Sequence, residues 1–250
     1  MRALPLLILI LAGCSNAPAP VEPPPSACNQ QSFEGSRFSV CDPGNGAIEL
    51  VAAARDETPV RQFADLEQRL GPRAEKVAFA MNAGMYDEDG RPIGLAIVDG
   101  KQKHRINRNE GGGNFHLMPN GVFQLRDDGA AEIVTSKAWR PSPAIRFATQ
   151  SGPMLVIDGK LHPAFEPDGT SRHVRNGVGI APNGRALFVI SEGPVSFGKF
   201  ARFFRDRLKA RNALFFDGAV SALWDPANGR RDITRPLGPM VVAFKAESEK

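Results

Sequence analysis

The 250-residue chain lacks the short signatures of the commonest hydrolases and nucleotide-binding proteins: it has no P-loop, no H-E-x-x-H, no G-x-S-x-G and no paired C-x-x-C. Those classes therefore lose weight. An excess of one charge is also missing: 31 Lys+Arg stand against 27 Asp+Glu, a formal net charge of +4, interspersed rather than gathered in blocks. This disfavours a dedicated nucleic-acid binder. There is no internal repeat of fixed period, and no linker after Cys28 that would split the chain. The amino-terminal apolar run, residues 4–11, is too short to span a bilayer as a helix. What the chain does have is 42% hydrophobic and 23% charged residues, the composition of one globular domain with a core it can bury. With 25 Gly and 21 Pro, turns are frequent and an all-helical bundle is disfavoured.

The amino terminus carries an address. Arg2 followed by the apolar run reads as a signal peptide over residues 1–13. Leu11-Ala12-Gly13-Cys14 resembles the lipobox of bacterial lipoproteins, which implies lipidation of Cys14 and cleavage just before it. Ser15, where the sorting rule disfavours Asp, points to the periplasmic side of the outer membrane. An ordinary secretory signal with a coincidental cysteine is the competing reading. Residues 14–27 are rich in Pro, Ala and Ser without apolar periodicity and describe the lipidated cysteine and a tether, leaving residues 28–250 as the globular domain. Apart from Cys14, only Cys28 and Cys41 remain, one pair in an exported chain, and a disulfide closing the loop that carries Phe33 and Phe38 is expected.

Asn-Gly and Asp-Gly dipeptides recur through the domain, among them Asn45-Gly46, Asp99-Gly100, Asn120-Gly121, Asp158-Gly159 and Asn183-Gly184, and these favour hairpin turns. Short apolar runs flank them at residues 95–98, 154–157 and 186–190, so the fold is rich in short strands. Two segments read as helices. Residues 59–70 carry a stripe of Val60, Phe63, Leu66 and Leu70 that Gly71-Pro72 ends. Residues 196–211 start at a capping Ser196 and repeat Phe197, Phe200, Phe204 and Leu208 at helical spacing. Residues 213–216, all apolar, read as a buried strand that ends in Asp217-Gly218.

Polar runs lie between these apolar segments. The acidic run Asp87-Glu88-Asp89-Gly90 has a calcium loop's flavour but not its spacing, and a turn is favoured. Residues 110–116 form a glycine-rich loop without the helix pattern of a phosphate cradle, which fits the wall of a polar pocket better. Taken in order, FAMNAGMY (79–86), PIGL (92–95), GNF (113–115), PNGVF (119–123), ATQSGPML (148–155), RNGVG (175–179) and ALFFDG (213–218) resemble the phosphodiester glycosidase domain family, specifically its small bacterial exported branch. The resemblance runs from about Phe33 to Phe244. It implies an α+β fold, a single mixed α/β domain with twisted, hairpin-rich β-sheets flanked by helices. It also implies an envelope hydrolase that cleaves the glycosidic bond of a sugar phosphodiester or related glycoconjugate.

Splitting a sugar from a phosphate makes little demand on a general acid, because the phosphate is a good leaving group. The site needs donors on the phosphate and a carboxylate to stabilise an oxocarbenium-like sugar or to activate water. Arg175 is the candidate phosphate clamp and Asp217 the candidate base or charge stabiliser. Asn82, Gly84, Asn114, His116, Gln150, Ser151, Gly152 and Gly218 are candidate substrate contacts. His116 and His173 could donate a proton, though a loop histidine is more often simply solvated. No spacing supports a metal site built from His116, His173 and Asp217, and neither metal nor cofactor is expected. Lys137, Arg140, Arg146, Arg172 and Arg175 make the middle of the chain basic and would draw an anionic ligand. The expected partners are a sugar phosphodiester or glycan and, through Cys14, a membrane, but not nucleic acid. The last motif continues Ala219-Val220-Ser221 instead of the family's longer glycine and serine run, which points to a different substrate. A non-catalytic glycan- or phosphopolymer-binding lipoprotein is the competing reading.

Overall fold

The computed structural model describes residues 25–217, 220–233 and 235–246. The signal peptide, Cys14, most of the expected tether and Gly218 lie outside them. Three antiparallel sheets make up the body. The large sheet has seven strands in the order Cys28–Phe33, Ser36–Cys41, Ala186–Ser191, Asn176–Ile180, Ala213–Asp217, Met154–Ile157 and Lys160–Leu161. A second sheet of five strands runs Arg230–Arg231, Leu223–Asp225, Val77–Asn82, Met240–Phe244, Ile48–Val51. A third, also of five, runs Lys101–His104, Ala96–Val98, Ile145–Ser151, Gly121–Arg126, Ala131–Thr135.

Two buried layers explain why so many strands lack polar alternation. In Ala213–Asp217, Leu214 and Phe216 enter the core shared by all three sheets, while Ala213 and Phe215 face a second core beneath a helix. A strand buried on both faces has no position for a polar side chain except at its ends. Phenylalanines tie the shared core together: Phe188 of the large sheet lies 5.4 Å from Phe79 of the second and 5.6 Å from Phe123 of the third. Each such side chain, fully buried, contributes about 1.5–3 kcal/mol.

Helix α1 (Phe63–Leu70) covers the outer face of the second sheet with Phe63 and Leu66, and α2 (Phe197–Arg202) covers the large sheet with Phe200 and Ala201. Both are shorter than the sequence periodicity predicts. The chain before Phe63 is not helical, and beyond Leu70 it continues as a 3-10 turn through Gly71–Lys76 instead of stopping at Gly71-Pro72. Ser196 caps α2 by accepting from the Lys199 amide at 3.1 Å, but the helix widens into a π-turn over Phe203–Arg207. The wider turn keeps Phe203 and Phe204 both buried, with Phe203 stacked 4.1 Å from Phe38.

The turn dipeptides divide by environment. Asp99-Gly100 and Asp158-Gly159 place both residues at positive φ, as a tight hairpin requires. Asn120-Gly121 does not turn: Asn120 is fully buried and Gly121 opens a strand. Its amide holds the Phe115 carbonyl at 2.8 Å and its oxygen accepts from Ser136, so the side chain serves packing.

Cys28 and Cys41 face each other across the first hairpin and are joined by a disulfide. The packed body begins slightly before them. Ser26 bonds Asp225 at 2.8 Å and the Ala27 carbonyl accepts from Asp42 at 2.9 Å, so the last residues of the expected tether already belong to the fold. This entry point lies at one pole of the sheets, where Asp42 pairs with Arg185 beside the start of Ala186–Ser191. The strand ends that carry Asn82, Ser151, Asn176 and Asp217 lie at the other.

Candidate functional site

At that second pole the three sheets are bolted together by buried amides. Asn82 ends its strand fully buried; its Nδ2 donates to the Val220 carbonyl at 2.6 Å, and its Oδ1 accepts from the Ala222 amide at 2.8 Å and from Asn176 Nδ2 at 2.9 Å. Asn176 Oδ1 in turn accepts from the Asp217 amide at 3.1 Å. Ser221 closes the frame, its hydroxyl 2.8 Å from the Asp217 carbonyl. Asp217 is thus fixed by its backbone on both sides while its carboxylate accepts from the Val220 amide at 3.4 Å.

A β-bulge aims this residue. Asn176 pairs with Asp217 and Gly177 with Phe215, so Phe216 is the extra residue on its strand. The approach is close: a Cβ on Gly177 would lie 2.5 Å from the Leu214 carbonyl oxygen, which leaves no room for a side chain. On the other side, Ser151 donates to the Phe216 carbonyl at 2.8 Å and ties the third sheet to the same strand end.

Tyr86, not singled out by the sequence, belongs here. Its ring lies against Gly238, its hydroxyl donates to the Pro236 carbonyl at 2.9 Å, and the Arg61 guanidinium sits 5.6 Å from its centroid. Burial and the nearby negative charge of Asp217 push its phenol up to about 12, so it stays protonated. The sequence signal for it was present at the end of FAMNAGMY, and the chain has no other tyrosine.

The remaining candidates separate into committed and available groups. Gln150 is buried and spent on the chain: its Oε1 accepts from the Leu95 amide at 3.0 Å and from the Asn107 amide at 2.9 Å, and its Nε2 donates to the Asn107 carbonyl at 2.5 Å. Gly84 has a packing role, since a Cβ there would meet Thr149 Oγ1 at 2.3 Å and the Gln150 carbonyl oxygen at 2.6 Å. A Cβ on Gly152 would lie 2.5 Å from Asn120 Cβ and 3.0 Å from the Phe115 carbonyl oxygen. These contacts seat residues 107–116 over the strand end of Ile145–Ser151. On this loop Asn114 is exposed. His116 Nδ1 donates to the Asn109 carbonyl at 2.8 Å, which fixes the ring. His173 is exposed in another segment, and among the described residues no three His, Cys, Asp or Glu side chains converge as a metal-ligand set.

Arg175 sits one residue before the start of strand Asn176–Ile180, yet it is not ion-paired with Asp217. It is fully buried on the helix side of the large sheet, with its guanidinium 3.6 Å from the Phe197 centroid and 5.5 Å from that of Phe215. Its Nε donates to the Val195 carbonyl at 2.9 Å and its Nη2 to the Ser171 carbonyl at 3.0 Å. Burial pulls its pKa down to about 10, so it remains charged at neutral pH. Phe197 stacks on Phe165 at 4.9 Å, and Phe165 on His162 at 4.7 Å, giving a column of rings that ends at the guanidinium. His162 is held neutral: burial lowers its pKa, Nε2 donates to the Met118 carbonyl at 3.0 Å and Nδ1 accepts from the Ala164 amide at 3.2 Å.

The three-sheet body with its flanking helices is an α+β domain. Within that class the chain belongs to the phosphodiester glycosidase family, whose model matches residues 75–244. It is similar to the uncharacterized protein YigE of Escherichia coli (strain K12), 40% identical over 149 residues, which are 60% of this chain and 58% of that protein. Among solved structures it resembles the catalytic domain of zebrafish N-acetylglucosamine-1-phosphodiester alpha-N-acetylglucosaminidase, auto-inhibited by its pro-peptide. The TM-score is 0.59 at 13% identity, covering 88% of this chain and 82% of that one. A protein from Synechocystis gives a TM-score of 0.55 at 13% identity, covering 88% and 61%. At these identities the likeness is one of fold.

Proposed function

We propose that this chain is an exported enzyme, anchored to the outer membrane through a lipidated Cys14, that hydrolyses the glycosidic bond of a sugar phosphodiester. One observation carries the reading: a carboxylate, Asp217, is held at a bulged strand end by a buried amide frame, one residue along the neighbouring strand from a buried guanidinium that pairs with no carboxylate among the described residues. A sugar phosphodiester presents a carbon that becomes cationic next to a phosphate that leaves as an anion, and the two groups match these needs in turn. The family membership supports the same reaction class, as does the name of the zebrafish enzyme.

In the proposed reaction the bond from the anomeric carbon to the phosphate oxygen breaks, and its electron pair leaves with the phosphate. Asp217 stabilises the positive charge that develops on the sugar. Water adds to the anomeric carbon and loses a proton to Asp217 or to solvent. Arg175 balances the charge of the departing phosphate. Because Asn82 and Gln150 are spent on the chain, sugar recognition falls to Asn114, His116 and backbone groups of the rim.

Hydrolysis of a panel of glycosyl-1-phosphodiesters in oxygen-18 water tests the reading, with the label expected in the released sugar. Label in the phosphate would assign phosphodiester cleavage and overturn the roles given to both residues. Asp217→Asn is expected to lower turnover by about a hundredfold or more. Saturable binding of the panel without any product would favour a glycan- or phosphopolymer-binding protein, a reading to which the spent amides lend weight.

A further inference from the structure

Arg175 is the largest fully buried side chain among the described residues, and its surroundings are incomplete. A guanidinium has five N–H donors. Here Nε is met by the Val195 carbonyl, and Nη2 by the Ser171 carbonyl at 3.0 Å and, at 3.4 Å, the Ser171 hydroxyl. Nη1 is buried and has no hydrogen-bond partner among the described residues. Every oxygen that Arg175 touches is neutral, and both of its ring neighbours, Phe197 and Phe215, are apolar. Packing alone does not account for an unpaired buried cation, since a methionine would fill the same space without the desolvation.

The segment that lies on Nη2 is of a different character from the rest of the cage. Ser171, Arg172 and His173 are exposed. The segment is fastened to the body by the backbone pair between His173 and Val195, at 2.9 and 3.3 Å. Val195, Phe197 and Phe215, by contrast, belong to the core and to α2.

We propose that Arg175 is the seat of an oxyanion and that residues 171–174 form a displaceable cover over it. In the closed form Ser171 occupies Nη2 in place of a ligand oxygen, and Nη1 is held in reserve. When the cover lifts, Nη1 and Nη2 present the parallel pair of donors that matches two non-bridging oxygens of a phosphate. Arg172 rides on the cover and adds positive charge at its mouth, which draws the anion in. The inference rests on the proposed reading in taking the anion to be the phosphate of the substrate. It adds that this phosphate reaches Arg175 only by displacing Ser171.

The test uses the mature chain with inorganic phosphate as the probe, followed by binding isotherms and by amide hydrogen exchange. Phosphate is expected to bind saturably, and the amides of residues 171–174 to exchange faster in the loaded protein. Arg175→Lys, which keeps the charge but loses the fork, is expected to weaken binding by about tenfold or more. Unchanged exchange of residues 171–174 at saturating phosphate overturns the cover, and the wild-type measurement decides this even if the lysine variant fails to fold. Equal phosphate affinity in a folded lysine variant overturns the seat. Hydrolysis of a glycosyl phosphodiester by a protein that binds no phosphate at Arg175 removes this inference and leaves the proposed reaction standing. Binding at Arg175 with no hydrolysis of any diester does the reverse.

Discussion

Leucine in place of Asn82 would fill nearly the same volume, leave the Val220 carbonyl and the Ala222 amide without these partners, and take from Asn176 Nδ2 one of its two acceptors. Buried polar groups left unpaired cost about 1–3 kcal/mol each, so Asn82→Leu is expected to destabilise the fold by about 3 kcal/mol or more in urea titration. Asp217→Asn keeps the backbone frame and should leave the same titration nearly unmoved while turnover falls. The two substitutions therefore separate a residue that builds the rim from the one proposed to act there. This distinction was only half legible in the sequence. Asn82, Gln150 and Asn120 each stand out as polar residues beside apolar runs, but a polar residue in that setting is satisfied either by a ligand or by the chain. The partners that decide the matter for Asn82 lie far along the chain, at Asn176 and Val220. Arg175 and Asp217 stand out for a different reason, because a charge next to a buried strand has few neutral explanations, and the structure buries both. Tyr86 was missed because its meaning depends on Asp217, which sequence order keeps distant.

Among the elements, α2 was recognised from its phenylalanine stripe, and its length was misjudged for a reason the same stripe explains. Phe197, Phe200 and Phe204 suit an α-helix, but so does a short helix followed by a π-turn, and the choice falls to the packing of Phe203 against Phe33 and Phe38. The strands were legible where they are bounded by Asp-Gly turns, and not at Asn120-Gly121, where a buried amide replaces the turn. Docking of α2 on the first hairpin also has an electrostatic part. Arg202 donates to Glu34 at 2.9 and 2.6 Å, and these bonds hold the Glu34 carboxyl below its ordinary value of 4.5. A carboxylate whose pKa is lower in the folded state stabilises the fold above its unfolded value, and that contribution is lost as pH falls through the folded one. Below pH 4.5 the hairpin should therefore loosen from α2. Glu34→Gln is expected to flatten the acid limb of the melting temperature against pH while leaving the neutral value within a small margin, because the pair sits at the surface and its carboxylate is open to solvent.

For the molecule as a whole, the disulfide and the shared core act on different scales. Reducing Cys28–Cys41, which closes a loop of sequence separation 13, should lower stability by about 3 kcal/mol in urea titration under dithiothreitol, without unfolding the body. The three-sheet phenylalanine core lies outside that loop and persists. The α+β class was legible in the frequency of turns and the two apolar stripes. The partition into three sheets was not, since antiparallel strands of four to six residues pair equally well in many orders until long-range contacts choose one.

The entry of the chain at Ser26, on the pole opposite Asp217, sets the reach of the protein. With Cys14 held in a lipid leaflet, as proposed, the anchor joins the body at this entry, and the strand register sets the rim about four residues, roughly 13 Å, further along the strands. A sugar phosphate whose own lipid tail is embedded in the same leaflet would reach the rim only if the body turned about its anchor. A diffusing diester, or a polymer strand passing overhead, meets the rim directly.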